Sequence, residues 1–335
     1  MNFFDIIPPD RVQSVQLALR ETFGNSAVTN FSVLAGGLSA ASTYRFTVSE
    51  KLYVLKLTEP TFNEINVSTA NLLLAAGAGI APALHYLGNS NGISITDHIT
   101  NQPLRNIFEP DELIAKLASA VKTIHAIPSD NDGPYLFDTV DTLINEFKKT
   151  AILSGPAFDE CFANYETLKN RLQLPLSDKV FSHNDLNPNN ILCDGERIWI
   201  IDWDTANLND RYIDLANLAN FFVHTEDQEN AYLAIYFGAA VNEYKKARFF
   251  TMRQVCRIVY AMLMFKLAGQ QKPVDHIHNQ EMDGIDLGGF FALMGKGELS
   301  LGTYEGQLMY GKALLNTAVH QMRSDRWQAS LTQFN

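Results

Sequence analysis

Residues 181–204 have the sequence Phe-Ser-His-Asn-Asp-Leu-Asn-Pro-Asn-Asn-Ile-Leu-Cys-Asp-Gly-Glu-Arg-Ile-Trp-Ile-Ile-Asp-Trp-Asp, and no other part of the chain is as informative. A polar loop leads into a short apolar strand. A turn at Asp194-Gly195 follows, where glycine allows the backbone to reverse sharply. A second apolar strand, residues 198–201, comes next. We therefore predict a loop and a β-hairpin that bring three polar side chains to one place: Asp185, Asn190 and Asp202.

These three side chains are of the types that phosphoryl transfer requires. A carboxylate orients the attacking hydroxyl and receives its proton, while an amide oxygen and a second carboxylate hold Mg²⁺ on the nucleotide phosphates. Mg²⁺ prefers oxygen ligands and takes few of them from the protein. The spacing His183-x-Asp185-x-x-x-x-Asn190 matches the kinase catalytic-loop template, and Asp202 stands where protein kinases carry Asp-Phe-Gly. The alternative interpretation is an acidic loop and hairpin with incidental polar residues.

The same motifs resemble a known family. The runs His183-Asn184-Asp185-Leu186, Asn190-Ile191-Leu192, Ile201-Asp202-Trp203-Asp204 and Tyr212-Ile213-Asp214-Leu215-Ala216-Asn217 closely resemble the choline/ethanolamine kinase and aminoglycoside phosphotransferase family. The resemblance is strong over residues 180–222 and weak at either end. It implies an α+β, two-lobed protein-kinase-like fold. Residues 1–100 would form a small nucleotide-binding lobe with an antiparallel sheet, and residues 101–335 a larger, mostly helical catalytic and substrate-binding lobe.

The resemblance also implies the cofactors and the roles of the central residues. ATP and Mg²⁺ would be the cofactors, with Asp185 as the catalytic residue and Asn190 and Asp202 as the metal ligands. His183 would support the loop by hydrogen bonding. Asp214, at the start of an apolar helix, would cap that helix or anchor the catalytic loop.

A strand, a glycine turn and a second strand are predicted over residues 31–48. In a kinase, backbone N–H groups of such a turn cover the nucleotide phosphates, so Gly36, Gly37 and Ser39 are candidate nucleotide contacts. A plain hairpin turn would have the same sequence. Lys56 interrupts an apolar strand, and the family role of such a lysine is an ion bridge to the α- and β-phosphates. The alternative is a lysine on an edge strand that faces solvent.

Glu64, in a helix predicted over residues 63–76, is the candidate partner that orients Lys56. Counted back from Gly79-Ile80-Ala81-Pro82, the family glutamate would fall about one turn later, near Ser68. Glu59 is a second candidate for this partner. An exposed first-turn glutamate favoured by the helix dipole remains an alternative interpretation of Glu64.

The nucleotide hinge is predicted at residues 97–101, after an apolar strand that begins at Ile93. Backbone groups of Asp97 and Ile99 would hydrogen-bond the adenine there. Beyond the hinge, apolar periodicity predicts helices throughout, over residues 111–126, 135–174 with a break at Gly155-Pro156, 230–238, 241–269 and 306–322. The Gly- and Asp-rich residues 270–303 are predicted to form a loop near the substrate cleft or a disordered crossing.

The acceptor is predicted to be a small-molecule alcohol that carries a positive charge. A quaternary ammonium group would need aromatic faces, and the candidates are Trp203, Tyr212, Phe222, Tyr236, Tyr260 and Phe265. An aminoglycoside would need carboxylates, and the candidates are Asp204, Asp210, Glu226 and Asp227. Asp204, Trp203 and Tyr260 are the favoured acceptor contacts. The His183-Asn184-Asp185 run favours choline- or ethanolamine-type amino alcohols over aminoglycosides.

Composition limits the remaining possibilities. The net charge of −11 argues against nucleic acid or an anionic membrane surface as a partner. The three cysteines have no metal-ligand spacing, and the N-terminus has no basic region before its apolar residues, so a cytoplasmic enzyme without a signal peptide is expected.

The short segment between Asp202 and Asp214 leaves no room for an activation loop, which argues against a protein kinase. A catalytically inactive nucleotide-binding scaffold of the same fold remains a further alternative.

Overall fold

The computed structural model describes residues 6–34, 42–58, 62–88, 91–274 and 277–334, and for residues 62–67 it describes the backbone alone. The chain divides into two compact units. The first comprises Met1–Asn131 and Val180–Leu208, and the second comprises Asp132–Lys179 and Asn209–Asn335.

A five-stranded antiparallel sheet is the centre of the first unit. Its order is β1-β2-β3-β5-β4, with the strands β1 (Val28–Val33), β2 (Ser42–Val48), β3 (Lys51–Leu57), β4 (Leu84–Gly88) and β5 (Ile93–Asp97). Lys56 pairs with Thr43 of β2 on one side and with Ser94 of β5 on the other. The interpretation of Lys56 as an edge-strand residue is therefore wrong, because β3 is the middle strand.

One face of this sheet is apolar because buried residues alternate along β2 and β3. Phe46 and Leu55 have no exposed surface, and Phe46 stacks on Tyr53 with ring centroids 5.6 Å apart. Helix α1 (Val12–Phe23) contributes Val15 and Leu19 to the same core. Lys56 is on the opposite face, so the sheet fixes its position while leaving its side chain partly accessible.

The remaining helices and strands of the first unit are α2 (Phe62–Gly77), α3 (Leu104–Ile107), α4 (Pro110–His125), β7 (Ile191–Cys193) and β8 (Ile198–Ile200). The division between the units falls within two further strands, β6 (Lys179–Ser182) and β9 (Asn207–Asp210). The predicted hairpin is present: β7 and β8 pair from Ile191–Ile200 to Cys193–Ile198, and Gly195 in the turn has a φ of 104°. The left-handed φ explains why glycine is needed there.

The second unit is helical. Its helices are α5 (Leu136–Thr150), α6 (Pro156–Arg171), α7 (Tyr212–Phe222), α8 (Glu226–Phe237), α9 (Glu243–Gln271), α10 (Leu287–Gly295), α11 (Tyr304–Met322) and α12 (Asp325–Leu331). The 29-residue α9 is the central helix, against which α11, α7, α5 and α12 pack. Helices α5 and α6 are separated at Gly155-Pro156, as predicted, because proline is accepted in a first helical turn but not inside a helix.

The described residues between 277 and 303 form more regular structure than predicted. They include α10, whose first turn is capped by Asp286 through a 2.7 Å bond to the Gly289 N–H. The buried ammonium of Lys312 donates to the Asn279 and Glu281 carbonyls. Asn316 donates to the Met282 and Ile285 carbonyls at 2.7 and 2.9 Å. Helix α11 thus fixes this segment through two side chains.

The predicted lobe boundary at residue 100 does not coincide with a boundary between the two units. Hydrogen bonds join the chain beyond residue 100 to the hairpin: Gln102 N donates to Cys193 O at 2.8 Å, and Cys193 N donates to Asn101 Oδ1 at 2.9 Å. The division into lobes at residue 100 stays a prediction. Over the described residues, none of the helices combines the length and apolar character needed to cross a membrane.

Candidate active site

The side chain of Asp185 is oriented by two amides of its own loop. Asn187 Nδ2 donates to Asp185 Oδ1 at 3.1 Å, and Asn190 Nδ2 donates to Asp185 Oδ2 at 3.1 Å. Asn190 Nδ2 also donates to the Asp185 carbonyl at 2.9 Å. Asp185 is half-buried, whereas Asn190 is buried. The carboxylate is therefore fixed in direction and remains reachable by a small molecule.

The His183 ring stabilises the loop with Asp185 through a hydrogen bond from each side of the imidazole. The Asp185 N–H donates to its Nδ1 at 3.3 Å, so the other ring nitrogen, Nε2, carries the proton and donates to Ile201 O at 3.0 Å. The imidazole has no exposed surface and packs edge-on against Trp203, with ring centroids 4.7 Å apart. This geometry supports the predicted structural role and ties the loop to the end of the hairpin.

Asn184 makes a second connection that sequence analysis did not identify. Its φ is 68°, a left-handed conformation that asparagine tolerates better than most residues. Its amide donates to Thr205 O at 2.8 Å, and Thr205 Oγ1 donates back to His183 O at 2.9 Å. The loop and the turn that follows β8 are thus joined on both sides of His183.

Lys56 bridges the two carboxylates of that turn. Its Nζ lies 2.7 Å from Asp202 Oδ1 and 2.8 Å from Asp204 Oδ2. Asp202 also has a left-handed φ, of 66°, which lets the chain leave β8 and present both carboxylates to one ammonium. Ser68 Oγ of α2 donates to the other oxygen of Asp204. A lysine, two carboxylates and a serine from three distant segments therefore meet here.

The electrostatics of this cluster follow from its partial burial. Burial alone would lower the pKa of Lys56, but the charges of Asp204 and Asp202 outweigh it and raise that pKa. Burial likewise opposes ionisation of Asp204, yet Lys56 and the hydrogen bonds hold its pKa below the usual value. Both groups are charged at neutral pH.

Helix α2 is attached to the same turn by Asn71, which has no exposed surface. Its Nδ2 donates to Ala206 O at 2.6 Å and to Trp203 O at 3.3 Å. Its Oδ1 accepts from Asn131 Nδ2 at 3.2 Å, and Asn131 Nδ2 also lies 3.0 Å from Ala206 O. Sequence analysis missed Asn71. An asparagine in the otherwise apolar run Ala70–Ala76 was the available signal.

Several of the predicted nucleotide contacts lie outside the residues that the structure describes. Gly36, Gly37 and Ser39 lie outside the described residues, as does the alternative partner Glu59, and the Glu64 side chain is also outside them. The position near Ser68, where the family glutamate was expected, is the one that contacts Asp204. Whether Glu64 pairs with Lys56 stays a prediction.

The predicted hinge begins at the end of β5. The Asp97 carboxylate accepts from Lys51 Nζ at 2.8 Å and contacts His85 Nε2 at 2.7 Å. The Asp97 N–H donates to Ala83 O at 2.9 Å, so this amide is engaged within the sheet region. Ile99 is half-buried. The contact of Asp97 and Ile99 with adenine stays a prediction.

Most of the predicted aromatic acceptor contacts are core residues. Trp203 is 2% exposed, stacks on Phe181 at a centroid distance of 6.0 Å and donates its indole N–H to Ile200 O at 3.1 Å. Its surroundings are those of a residue that supports the turn. Tyr260 is only half-buried and lies edge-on to Phe221 at 6.1 Å. The other aromatic candidates are buried: Tyr212, Phe222, Tyr236 and Phe265.

The predictions for two acidic residues of the second unit need correction, that for Asp214 only in part. Its role as an anchor of the catalytic loop stays a prediction, but α7 has no side-chain cap at its N-terminus. The Tyr212 N–H instead donates to Asp210 Oδ1 at 3.0 Å. Asp210 was a candidate acceptor contact, but it has no exposed surface and pairs with Arg248. A fully buried carboxylate that is paired with an arginine is not available to an acceptor.

The side chains present fit the predicted Mg²⁺. Because the Asn190 amide nitrogen is directed at Asp185, its oxygen points elsewhere and is available as a ligand. Asp202 is about one-third exposed and offers a carboxylate at the end of β8. Amide and carboxylate oxygens are the hard donors that Mg²⁺ prefers.

Comparison with known proteins gives a family match over most of the chain. Residues 30–250 match the model of the phosphotransferase enzyme family. This range includes the strand with Lys56, the loop with Asp185 and the turn with Asp202. Among curated proteins, no sequence match was found.

Solved structures resemble the whole chain. A choline/ethanolamine kinase family protein from Mesorhizobium loti has 17% identity and a TM-score of 0.67, with 97% of this chain and 98% of that chain covered. Spectinomycin phosphotransferase, solved with ADP and spectinomycin, has 15% identity and a TM-score of 0.62, with coverages of 92% and 98%. A choline kinase from Streptococcus pneumoniae has 18% identity and a TM-score of 0.57, with coverages of 79% and 93%. These likenesses confirm the predicted kinase-like α+β fold.

Proposed function

The chain belongs to the phosphotransferase enzyme family and transfers phosphate to an alcohol group of a small molecule, and we propose that ATP is the donor and a choline- or ethanolamine-type amino alcohol is the acceptor. The His183-Asn184-Asp185 run supports the amino alcohol. The nucleotide complexes among the structural neighbours, such as spectinomycin phosphotransferase with ADP, support the nucleotide.

The arrangement around Asp185 is the observation that carries this proposal. Its carboxylate is oriented by Asn187 and Asn190 at 3.1 Å each and remains partly exposed, which suits a group that accepts a proton from an incoming hydroxyl. In the proposed mechanism, Asp185 orients the acceptor hydroxyl and takes its proton as the oxygen attacks the γ-phosphate in line. The leaving ADP then carries the charge of the broken bond.

Lys56 would neutralise charge on the α- and β-phosphates, as the family role of this lysine implies. Asn190 and Asp202 would hold Mg²⁺, which would neutralise charge on the phosphates. Because Lys56 already contacts Asp202 and Asp204, these carboxylates keep its ammonium near the place where the phosphates would arrive. Preorganised charge of this kind supplies most of the catalysis in phosphoryl transfer.

The proposal is tested by ADP release from Mg²⁺-ATP with choline, ethanolamine and several aminoglycosides as acceptors. Asp185→Asn removes the proton acceptor while keeping the shape of the side chain. We expect turnover to fall by roughly 10²- to 10⁴-fold while nucleotide binding stays nearly unchanged. Asp159→Asn, at an exposed position in the first turn of α6, is the matched control and should keep full activity.

Each outcome has a definite meaning. Release that depends on choline or ethanolamine and disappears in Asp185→Asn supports the full proposal. Release with aminoglycosides alone would replace the proposed acceptor. Mg²⁺-dependent ATP binding without turnover on any acceptor would favour the inactive scaffold, and near-normal turnover of Asp185→Asn would sink the catalytic assignment.

A further inference from the structure

The guanidinium of Arg257, in the middle of α9, is buried and has no carboxylate partner in the part of the chain that the structure describes. Only 8% of the residue is exposed. Its Nη1 donates to Gln254 Oε1, and Gln254 is itself oriented by a 2.8 Å bond from its Nε2 to Phe250 O. The Arg257 Nε is sealed from solvent and has no acceptor among the described residues. One neutral amide oxygen is therefore the partner of a full positive charge.

Two other arginines of the same helix have carboxylate partners. Arg248, which is 1% exposed, contacts Asp210 and lies 3.5 Å from Asp178. Arg253 precedes Arg257 by one turn of α9 and contacts Glu229 at 3.5 Å. Arg253 also donates to the Ala219 and Val223 carbonyls at 3.2 and 3.0 Å. Arg257 is thus an exception within its own helix.

An isolated charge in a protein interior is costly unless something compensates it. Burial and the neighbouring charge of Arg253 lower the pKa of Arg257 to about 9. That value still leaves the guanidinium protonated at neutral pH. Deprotonation therefore does not relieve the cost, and a negatively charged group from outside the described chain would.

One side of this guanidinium remains accessible. Its Nη2 has no acceptor among the described residues, yet it is not one of the sealed atoms that include Nε, so Nη2 keeps some contact with solvent. The Tyr310 hydroxyl of α11 likewise has no hydrogen-bond partner among the described residues and is not completely buried. The two residues interact electrostatically. A guanidinium N–H and a phenol O–H of two interacting residues are thus without an acceptor among the described residues.

We propose that Arg257 binds an anionic group, a carboxylate or a phosphate, with the Tyr310 hydroxyl as a second donor. The planar guanidinium fork suits the two oxygens of either group. The anion is either a free ion or an acid group carried by the acceptor. The second case rests on the proposed function and would make the acceptor an amino alcohol that also bears an acid group.

The test is thermal unfolding of the full chain and of Arg257→Met in sodium chloride, sodium phosphate and sodium acetate at constant ionic strength. A bound anion stabilises the folded state by mass action. We expect phosphate or acetate to raise the melting temperature of the wild type by about 3–8 °C over chloride, and to lose this effect in Arg257→Met. In chloride alone, Arg257→Met should melt above the wild type because it removes an uncompensated buried charge.

Arg326→Met is the matched control. Arg326 is in the same unit and has the carboxylate partner Glu229, so its loss should leave the anion response intact. Ethanolamine and serine form the second arm, because serine is ethanolamine with an added carboxylate. Stabilisation by serine that is lost in Arg257→Met, with ethanolamine unaffected, assigns the anion to the acceptor.

The inference is overturned if the wild type and Arg257→Met respond equally to phosphate, acetate and serine and the variant melts lower in chloride. Arg257→Gln provides a second variant should the methionine variant fail to fold. Melting requires no turnover, so a failure of this inference is distinct from a failure of the proposed activity.

Discussion

At the scale of single residues, Ser68 is the most informative member of the cluster that it forms with Lys56, Asp202 and Asp204. It occupies the region of α2 where the family carries a glutamate, and it donates to Asp204 instead of contacting Lys56 directly. We infer that Asp204, held by Ser68, takes over the orientation of Lys56. Removing the hydroxyl would let Asp204 rotate and loosen the ammonium.

Ser68→Ala should therefore raise KM for ATP about 3- to 10-fold, with a smaller loss of kcat, because a neutral side-chain hydrogen bond is worth about 1 kcal/mol. Steady-state kinetics with varied ATP measures the two constants separately. Ser119→Ala is a suitable control, since Ser119 Oγ donates only to the Ala115 carbonyl of its own helix. An unchanged KM would show that Lys56 is oriented by another group.

Asp97 predicts a pH dependence of stability. Burial tends to raise its pKa, but hydrogen bonds from Lys51 and His85 lower it below the ordinary 3.8. The unfolded chain then binds this proton at a higher pH than the folded chain does. Its stabilising contribution is complete above the ordinary value and is lost as pH falls through the lowered folded pKa.

Asp97→Asn should consequently be less stable than the wild type at pH 7 and should lose less stability than the wild type between about pH 4 and pH 2. Urea denaturation at a series of pH values measures this difference. Asp130→Asn, at an exposed position, should follow the wild-type curve. Parallel curves for Asp97→Asn and the wild type would contradict the role of the Lys51 and His85 contacts.

At the scale of elements, buried hydrogen bonds of Asn71 join α2 to the turn after β8. Asn71 satisfies the Trp203 and Ala206 carbonyls and accepts from Asn131, all in a buried position. Truncating it leaves buried polar groups without partners, which costs more than the net value of a hydrogen bond.

Asn71→Ala should lower the free energy of unfolding by about 1–3 kcal/mol and should also reduce activity, since the same turn carries Asp202 and Asp204. Asn131→Ala should cost less, because Asn71 Nδ2 still reaches Ala206 O. Urea midpoints of the two variants give the comparison. Equal costs for both variants would place the weight on Asn131 and not on α2.

Features that depend on residues close together in the sequence could be predicted, whereas contacts between residues far apart in the sequence could not. The hairpin at 191–200 and the loop with Asp185 and Asn190 are local, and their turn residues and spacing predict them correctly. The contact of Lys56 with Asp202 joins residues 146 positions apart, so only the family resemblance brought those two residues to one site. The ion pair of Asp210 with Arg248 left no local signal and was missed.

Helix α10 shows why glycine content can mislead. Gly288, Gly289 and Gly295 suggested a loop because glycine disfavours helices in isolation. The Asp286 cap and the burial of Phe290 nevertheless stabilise a helix there. Tertiary packing outweighed a local preference, as it does for many short helices.

At the scale of the whole molecule, the chain is interleaved. The first unit takes its sheet from residues before 131 and the loop with Asp185 from residues 180–208, so each unit is built from separated segments. Ile200 N donates to Ile80 O at 2.8 Å, which joins β8 to the segment that follows α2. The candidate site exists only when both segments of this unit are present.

A fragment of residues 1–100 should therefore not fold as the corresponding part of the full chain does. It retains the apolar sheet face with Phe46 and Leu55, but the groups that Asn71 and Ile80 bond lie in the missing segment. Buried polar groups would lose their partners and the α2 surface that packs on the turn would be exposed to water. We expect no cooperative thermal transition by circular dichroism for this fragment, against a clear one for the full chain. A cooperative transition in the fragment, with slow amide exchange along β3, would instead mean that the sheet and α1 form a stable core without the catalytic segment, and that the catalytic loop docks onto a lobe already folded.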